Sequence, residues 1–459
     1  MSMTAPLTAE SKSLTLTLAE AAAGLDFEQI DNDSLTVAKQ CILDWFAVTL
    51  AGASEPLTRI LAVDAAEDGG HEQATILGHR RRGTEGQAAL VNGSAGHALD
   101  YDDVNSALHG HPTAPVAPAV LAVAEHRWKS GRDLVTAFVA GYEAECRIGA
   151  LVDPSHYEAG FHATATVGSL GAAAGVARLL GLDAADTAQA LGIAATQAAG
   201  LKAVFGTMSK PLHAGKAAAN GLLAARLAGH GFTSRPDILE SEQGFAHTLS
   251  QDFDEARALE TPPGGFHVRN NLFKYHAACY LTHSPMEALA ALRDEHGIAP
   301  DDIEAVTLRV APGHLTVCNI PSPATGLECK FSLRHTAAFA LAGTDTGSLD
   351  AYSDENAVRA DLVGLRERVR VETDDASPRN SARVAIALKD GRLLEGQRDV
   401  GVPASDVGDQ GTRLEAKFHS LVNPILGAER AGALAADLLR LDEIDEVSTI
   451  MAHLGDLRV

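Results

Sequence analysis

Residues 159–177 read AGFHATATVGSLGAAAGVA, a run that contains no formally charged side chain. The run is long enough to be considered as a membrane span, but it consists mostly of Gly, Ala, Thr and Ser and includes His162. We therefore predict that it forms a helix buried in a helical core. Gly171 and Gly175 stand at small-xxx-small spacing, which lets two helix backbones approach closely.

The composition of the whole chain fits such a core. Of its 459 residues, 46% are hydrophobic but only 5% are aromatic, so we expect Ala, Leu, Val and Gly to fill the interior. This length exceeds the usual size of one hydrophobic core and predicts two domains. With 37 basic and 60 acidic residues the net charge is −23, and no basic face is evident in the sequence. We therefore expect neither nucleic acid nor an anionic membrane as a partner.

The cysteines and the N-terminus bear on the compartment. The cysteines have neither metal-ligand nor disulfide spacing, and an odd number of them suits a reducing cytosol, so we expect free thiols at Cys41, Cys146, Cys279, Cys318 and Cys329. Residues 1–20 have no basic region followed by an apolar stretch, which predicts the absence of an export signal. Both observations favour a cytoplasmic protein.

Helical patterns fill the first two thirds of the chain. Asp183 is a candidate N-cap and Gly200 a candidate stop for one of these helices, because a short polar side chain and a glycine are favoured at the two ends. The segments with helical spacing are 35–51, 118–126, 133–148, 184–199 and 214–229.

The composition changes at the run PPGG, residues 262–265, and we place a domain boundary there. Beyond it, alternating apolar and polar residues predict strands, and the Asp-Gly pair within 389–392 predicts a tight hairpin. The predicted strands are 303–310, 369–373, 384–388 and 393–397, accompanied by helices over 285–295 and 332–341.

This pattern predicts a mainly α protein with an α+β second domain. The large helical domain covers residues 1–264, and the smaller α+β domain covers residues 265–400. Residues 401–459 return to helix with an amphipathic tail, so we expect them to pack back on the helical domain.

The run GTMSKPLHAGK, residues 206–216, places Lys210 and His213 where a helix is predicted to begin. Proline is well tolerated in the first turn of a helix, so Pro211 puts Lys210 at the N-terminus. The unpaired N–H groups and the dipole there attract carboxylates, and a buried lysine can exchange protons. The competing interpretation is a solvated lysine beside a packed histidine.

A second cluster lies in GHALDYDDV, residues 96–104, and HGHPT, residues 109–113. One interpretation is a metal site, since imidazole and carboxylate ligands suit zinc, iron or manganese. A second, which we favour, is a metal-free acid/base site in which carboxylates orient histidines. A third is simple helix capping with surface histidines. The metal interpretation predicts a hydrolase built on Asp100, Asp103, His109 and His111.

Two further segments bring histidine or lysine. These are FHATA at 161–165, which contains His162, and FKYHAACYLTH at 273–283, which contains Lys274, Tyr275 and His276. The latter lies just past the proposed boundary, where a cleft between domains would open.

Together these segments resemble the MmgE/PrpD family, whose members include 2-methylcitrate dehydratase, cis-aconitate decarboxylase and iminodisuccinate epimerase. The resemblance covers nearly the whole chain and depends on the order and spacing of individually weak motifs. They are NG (92–93), HALDYDD (97–103), HPT (111–113), GFHAT (160–164), MSKPLHAG (208–215), GFT (231–233), ILE (238–240) and KYH (274–276). Decarboxylase-like members favour a threonine where this chain has Val104.

The resemblance implies a large helical domain built from both terminal parts, an inserted α+β domain near 265–400, a homodimer, and no organic cofactor. We also expect no metal, since we favour the acid/base interpretation of the 96–104 and 109–113 segments. By motif, it places catalytic roles on Asp100, His111, His162 and Lys210. We expect substrate contacts from His213, Lys274, Tyr275, His276 and Asp103.

The shared chemistry is proton removal beside a carboxylate, which creates an enolate-like dianion and requires cations and a base. Lys210 and His213 would stabilise this charge, His162 or His111 would exchange the proton, and Asp100 would orient a histidine. The first candidate is a lyase that dehydrates a 2-methylcitrate-like hydroxy acid. The alternatives are an epimerase of a dicarboxylate, a cis-aconitate decarboxylase and, in a different class, the metal-dependent hydrolase.

Overall fold

The structure is a computed structural model that describes residues 12–454. Of the segment predicted to contain no export signal, residues 1–11 lie outside the described residues.

Helices account for most of the described chain, and small sheets accompany them, which confirms the mainly α fold class with a smaller α+β part. The α-helices are α1 (Leu14–Ala23), α2 (Asn32–Gly52), α3 (Pro56–Asp68), α4 (Glu85–Ala98), α5 (Thr113–His126), α6 (Gly131–Val152), α7 (Ser155–Glu158), α8 (Ala163–Leu180), α9 (Ala184–Ala195), α10 (Ser209–Gly229), α11 (Phe245–Leu249), α12 (Glu255–Leu259), α13 (His283–His296), α14 (His314–Val317), α15 (Gly326–Cys329), α16 (Leu333–Leu341), α17 (Asp354–Val358), α18 (Ala360–Arg366), α19 (Val407–Leu426) and α20 (Ala428–Leu439). The strands are β1 (Ala74–Ile76), β2 (Arg81–Gly83), β3 (Ile303–Val310), β4 (Val369–Thr373), β5 (Ser381–Leu388) and β6 (Leu393–Asp399).

The uncharged run at 159–177 becomes the central helix of the core. Helix α8 begins at Ala163 and packs against α5, α6, α9 and α10. By length and composition alone it could cross a membrane, but 89% of it is buried inside the protein. Its apolar character is therefore explained by its position among other helices.

Small residues set the distance between the core helices. A Cβ atom added to Gly141 of α6 would lie 2.7 Å from the carbonyl oxygen of Gly171 and 3.1 Å from the Cα of Gly175, both in α8. The close approach that the spacing of Gly171 and Gly175 predicts is thus present. Helices α4 and α10 meet in the same way, with a Cβ on Gly93 placed 2.9 Å from the Cα of Gly215.

Most predicted helices are confirmed, but two of their ends are wrong. Asp183 caps α9 as expected, yet α9 ends at Ala195 rather than before Gly200. Gly200 has a φ of 152°, which lets its carbonyl accept a hydrogen bond from the His162 N–H at 3.0 Å. Helix α5 begins at Thr113 and contains Pro118, because burial among other helices outweighs the lost backbone hydrogen bond.

The second sheet has the strand order β4-β3-β5-β6, with β3 parallel to β4 and the other pairs antiparallel. The predicted hairpin is confirmed: Leu388 and Arg392 close it, and Gly391 takes the left-handed φ of 90° that the turn requires. Helix α13 packs against β5 and β6, and α16 packs against α13.

The C-terminal helices return to the N-terminal part of the chain. Helix α19 packs against α2, and α20 packs against both α2 and α19. The exact division into ranges 1–264, 265–400 and 401–459 stays a prediction. What matters for the site is that α19 packs against α2, which packs in turn against α4, and that Lys417 of α19 contacts Tyr101 in the turn after α4.

We predict that Gly141→Ala destabilises the protein by about 1–3 kcal/mol, because the new methyl group would overlap backbone atoms of α8 that cannot move independently. Gly432→Ala in α20 is the matched control, since nothing lies within 4 Å of its added Cβ. Helix propensity alone should make this control neutral or more stable by up to about 1 kcal/mol. Urea denaturation of both variants tests the prediction, and equal midpoints would contradict it.

Candidate active site

Four segments that are distant in sequence converge at the ends of the core helices. The turn after α4 brings Asp100, the start of α10 brings Lys210, and His162 stands immediately before α8. Lys274 comes from the extended chain beyond the predicted boundary at 262–265. Because α4 and α10 pack closely through Gly93 and Gly215, these functional ends meet in one place.

Asp100 is the centre of this cluster. The Lys210 Nζ donates to its Oδ1 at 2.8 Å, and the Lys274 Nζ lies 3.1 Å from the same oxygen. Lys274 also donates to the Asp100 carbonyl oxygen at 2.5 Å. Burial alone would raise the pKa of the Asp100 carboxyl, but Lys210 and Lys274 hold it well below its usual value. Asp100 is therefore ionised.

The backbone at Asp100 is unusual. Its φ is 51°, in the left-handed region that aspartate tolerates better than most residues. The two lysines hold this conformation from different elements. The strained turn points the carboxylate, whose side chain is 27% exposed, toward Lys210 at the start of α10.

Asp102 lies between two histidines. The His97 Nδ1 is 2.8 Å from Asp102 Oδ2, and the His111 Nδ1 is 3.1 Å from the same oxygen. The Nε2 of His111 then faces Asp100, at 3.8 Å from its Oδ1. Asp102 is therefore the carboxylate that lies closest to the histidines, whereas Asp100 mainly receives the lysines.

His97 and His162 are electrically neutral at physiological pH. Burial lowers the pKa of His97 to about 4, although Asp102 opposes the shift. Burial, together with His97 and Lys210, holds the pKa of His162 well below its usual value. His162 therefore has a free ring nitrogen that can accept a proton, and its lowered pKa makes it a weak base until negative charge is bound beside it.

His213 joins the cluster through His162. Their Nδ1 atoms lie 3.1 Å apart, and the His162 ring also packs edge-on against Phe205, with centroids 5.0 Å apart. Phe205 is 38% exposed, and the Lys210 Nζ lies 5.4 Å from its ring centre. An apolar side chain thus covers one edge of the charged cluster.

Three residues that we predicted to bind substrate make contacts with residues outside the cluster around Asp100. The Asp103 carboxyl is buried and accepts a hydrogen bond from Thr113 at 2.5 Å. The Tyr275 ring stacks on the Arg413 guanidinium, and the His276 Nδ1 lies 2.6 Å from the Thr346 hydroxyl. Their roles in substrate binding stay predictions.

The metal set predicted for a hydrolase does not come together. His109 pairs with Asp153, and Asp103 bonds to Thr113. The described residues bring together a different set that could hold a metal ion, His97, Asp100, Asp102 and His111, whose ligand atoms lie within 4.8 Å of one another. Two ammonium groups already contact Asp100, however, and their charge opposes a divalent cation there.

A buried ion pair contacts the turn that carries Asp100. The Lys417 Nζ of α19 lies 2.6 Å from Asp44 Oδ1 of α2, and both side chains are almost fully buried. The same Nζ donates to the Tyr101 carbonyl oxygen at 2.9 Å and lies 3.8 Å from the Tyr101 ring centre. Lys417 therefore connects the C-terminal helices to the residue that follows Asp100.

Sequence reasoning missed His97, Asp102 and Lys417 as parts of the site. The motif at 96–104 contains the first two, but nothing in one-dimensional spacing says which of its carboxylates turns toward a histidine. Lys417 lies in an amphipathic helix, where one more lysine carries no signal. Its position opposite Asp44 in the helix packing reveals its role.

Comparison with known proteins agrees with these motifs. The family model described as MmgE/PrpD N-terminal domain matches residues 16–257, and the one described as MmgE/PrpD C-terminal domain matches residues 276–441. The cis-aconitate decarboxylase of Homo sapiens is 26% identical over 456 residues, which cover 96% of this chain and 94% of that protein. The cis-aconitate decarboxylase of Aspergillus terreus is 27% identical over 467 residues, 95% of this chain and 94% of that protein. A cis-aconitate decarboxylase-like protein of Aspergillus oryzae is 28% identical over 458 residues, 92% of this chain and 93% of that protein.

We predict that Lys417→Met lowers the free energy of unfolding by about 3–5 kcal/mol, because it leaves the Asp44 carboxylate buried without a partner. The double variant Asp44→Asn/Lys417→Met should lose less than Lys417→Met alone, since no charge remains unpaired. Chemical denaturation of the two variants measures the difference. A loss of under about 1 kcal/mol for Lys417→Met would contradict this role.

We predict that the Asp103 carboxyl destabilises the protein increasingly as the pH rises from about 4 to about 7, a contribution opposite in sign to that of buried histidines such as His97, whose pKa burial lowers to about 4. Burial raises the pKa of Asp103 from an ordinary value of 3.8 to about 7, so in this window the folded state keeps a proton that the unfolded state releases. Each such carboxyl costs about 1.4 kcal/mol of stability per pH unit. Asp103→Asn removes this contribution, so the slope of stability against pH should be more positive in the variant than in the parent.

Glu143, whose pKa burial also raises to about 7, keeps its own destabilising contribution in Asp103→Asn. Urea denaturation across the pH window gives the slope for each protein. Glu304→Gln, at an exposed position of β3, is the control and should keep the parent slope. An unchanged slope in Asp103→Asn would show that this carboxyl is ionised in the folded state.

Proposed function

The chain belongs to the MmgE/PrpD family, and from this premise we propose that it is a lyase that acts on a small di- or tricarboxylate without an organic cofactor. The observation that carries the proposal is the convergence of Lys210 and Lys274 on Asp100, with His111 and His162 beside them. Two ammonium groups against one carboxylate leave a local excess of positive charge around Asp100. A substrate carboxylate can form ion pairs with these ammonium groups.

In this proposal the lysines stabilise negative charge and the histidines transfer the proton. The lysines stabilise negative charge that develops on a substrate carboxylate when a carbanion forms beside it. His162, which is neutral, accepts or returns the proton, and His213 is positioned to share it through their close Nδ1 atoms. Asp102 fixes the ring of His111 so that its Nε2 faces the Asp100 side of the cluster.

Decarboxylation of cis-aconitate is the first candidate reaction, because relatives of that name align over nearly the full length of this chain. The bond between the departing carboxyl carbon and its methylene carbon breaks, and its electron pair forms the new terminal double bond. The electrons of the original double bond move to the next carbon, which takes a proton. The products are carbon dioxide and itaconate.

Dehydration of a 2-methylcitrate-like hydroxy acid is the second candidate, and two observations favour it. Decarboxylase-like members of the family favour a threonine where this chain has Val104, which offers no hydroxyl. The neutral state of His162 suits a base that removes an α-proton before a hydroxide leaves from the β-carbon. Reprotonation of the same intermediate on its opposite face would give an epimerase instead.

We further propose that the protein acts in the cytoplasm, which the odd number of cysteines favours, and that it is a homodimer, as the resemblance to its family implies. Sedimentation velocity of the purified chain tests the oligomeric state. A single species at the monomer mass would contradict the dimer.

Proton NMR in D2O distinguishes the candidate reactions. The purified protein is incubated separately with cis-aconitate, 2-methylcitrate, citrate and iminodisuccinate. Itaconate from cis-aconitate establishes the decarboxylase, and a new unsaturated acid from a hydroxy acid establishes the dehydratase. Deuterium incorporation without loss of mass establishes the epimerase. No change with any of the four would contradict the proposed substrate class.

We predict that Lys210→Ala lowers kcat/KM on the substrate so identified by about 10²–10⁴-fold, because the charge that stabilises the intermediate is lost. Lys216→Ala is the matched control, since Lys216 lies in the same helix but is exposed. It should keep activity within about twofold of the parent. Circular dichroism confirms that both variants fold, and normal turnover by Lys210→Ala would contradict the assignment.

A further inference from the structure

A cavity of about 760 Å³ lies where the β1–β2 hairpin meets α3 and the last described turns of the chain. Arg80, Arg81 and Arg82 line it, together with His79. A second cavity, of about 610 Å³, shares Arg80 and Arg81 with the first and adds Arg59 from α3. We call these two adjoining openings the arginine cleft.

The charge of the cleft differs from that of the rest of the chain. The protein carries a net charge of −23, yet residues 80–82 form a run of three consecutive arginines. Among residues 12–454, the acidic residues that line the two openings are Glu72 and Glu67, one in each. Folding adds Arg59 to the arginine run, so the cleft is locally basic although no basic face is evident in the sequence.

Two of these arginines are available to a ligand. Within residues 12–454, neither Arg59 nor Arg81 has a carboxylate within ion-pair distance. Arg82, in contrast, pairs with the buried Glu125 and donates to the Gln73 carbonyl at 2.8 Å, which fixes the hairpin. Arg59, Arg81 and His79 line the same opening, and burial, together with the two arginine charges, lowers the pKa of His79. The two positive charges thus belong to one opening.

The backbone of the cleft is also accessible. Gly69, Gly70, Gly78 and Gly83 line the first cavity, and glycines allow a ligand to approach the main chain closely. The volume lies within the range of about 300–1,000 Å³ that is usual for small-molecule sites. Paired N–H donors of guanidinium groups match the oxygens of phosphoryl and carboxylate groups.

We propose that the arginine cleft binds a small anion that carries several clustered phosphoryl or carboxylate oxygens. The cleft is separate from the cluster around Asp100 and Lys210. Helix α4 begins with Glu85 beside the hairpin that lines the cleft, and it ends next to His97 in the cluster. At about 1.5 Å per residue, this helix separates the two places by about 20 Å. The ligand of the cleft is therefore not the molecule that reacts at Lys210.

Isothermal titration calorimetry of the full chain tests the proposal, with tripolyphosphate as the phosphoryl probe and citrate as the carboxylate probe. The double variant Arg59→Gln/Arg81→Gln should bind the preferred probe about tenfold or more weakly than the parent. The matched control is Arg309→Gln/Arg392→Gln, which removes the same charge from exposed positions on the other domain. It should change the affinity by less than about twofold.

Lys210→Ala separates the two sites, because it should leave binding in the cleft unchanged. The two probes are compared in the Lys210→Ala background. If tripolyphosphate binds more tightly than citrate, the ligand is a phosphoryl compound; if citrate binds more tightly, the ligand is a carboxylate. Three results would overturn the proposal. They are equal weakening in both double variants, no saturable binding of either probe, or binding that Lys210→Ala abolishes. Thermal melts must show that the double variants remain folded.

Discussion

The ion cluster at Asp100 is the constraint on which the site depends. A carboxylate and two ammonium groups are costly to remove from water unless they pair, so the segments that carry them must meet. Lys210 enters from the start of α10 and Lys274 from beyond the predicted domain boundary, and both contact the Asp100 Oδ1. This pairing connects the helical part of the chain to the part that follows residue 265. It also leaves positive charge where a substrate carboxylate would lie.

The abundance of glycine and alanine makes this convergence possible. With few aromatic side chains, the core helices approach until backbone meets backbone, as Gly141 does against Gly171 and Gly175. Close packing fixes the helix ends within narrow limits, because a packed interior transmits even small displacements. The catalytic side chains lie at such ends: Asp100 after α4, His162 before α8 and Lys210 at the start of α10. Composition and site geometry are therefore linked.

Much of the fold could be predicted because local physics dominates it. Uncharged helical runs, the Asp183 cap and the Asp-Gly hairpin at residues 389–392 depend on neighbours in sequence. Partner choice depends on tertiary placement instead. Nothing local distinguishes His111, whose ring faces the cluster, from His109, which pairs with Asp153 two helices away. For the same reason the motif at 96–104 could indicate an acid/base site but could not reveal that Asp102, rather than Asp100, lies against both histidines.

The charge balance of the site indicates how binding and proton transfer are coupled. With His97 and His162 neutral, the two carboxylates match the two lysines over the whole cluster, but both ammonium groups contact Asp100 while Asp102 lies against the histidines, so the positive excess is local to Asp100. An incoming di- or tricarboxylate adds net negative charge to a partly buried space, and nearby negative charge favours the protonated form of an imidazole. Substrate binding thus promotes proton uptake by the histidines that surround it. The histidines are neutral when the site is empty and become able to donate a proton when the substrate is bound. Both a decarboxylase and a dehydratase require such a donor.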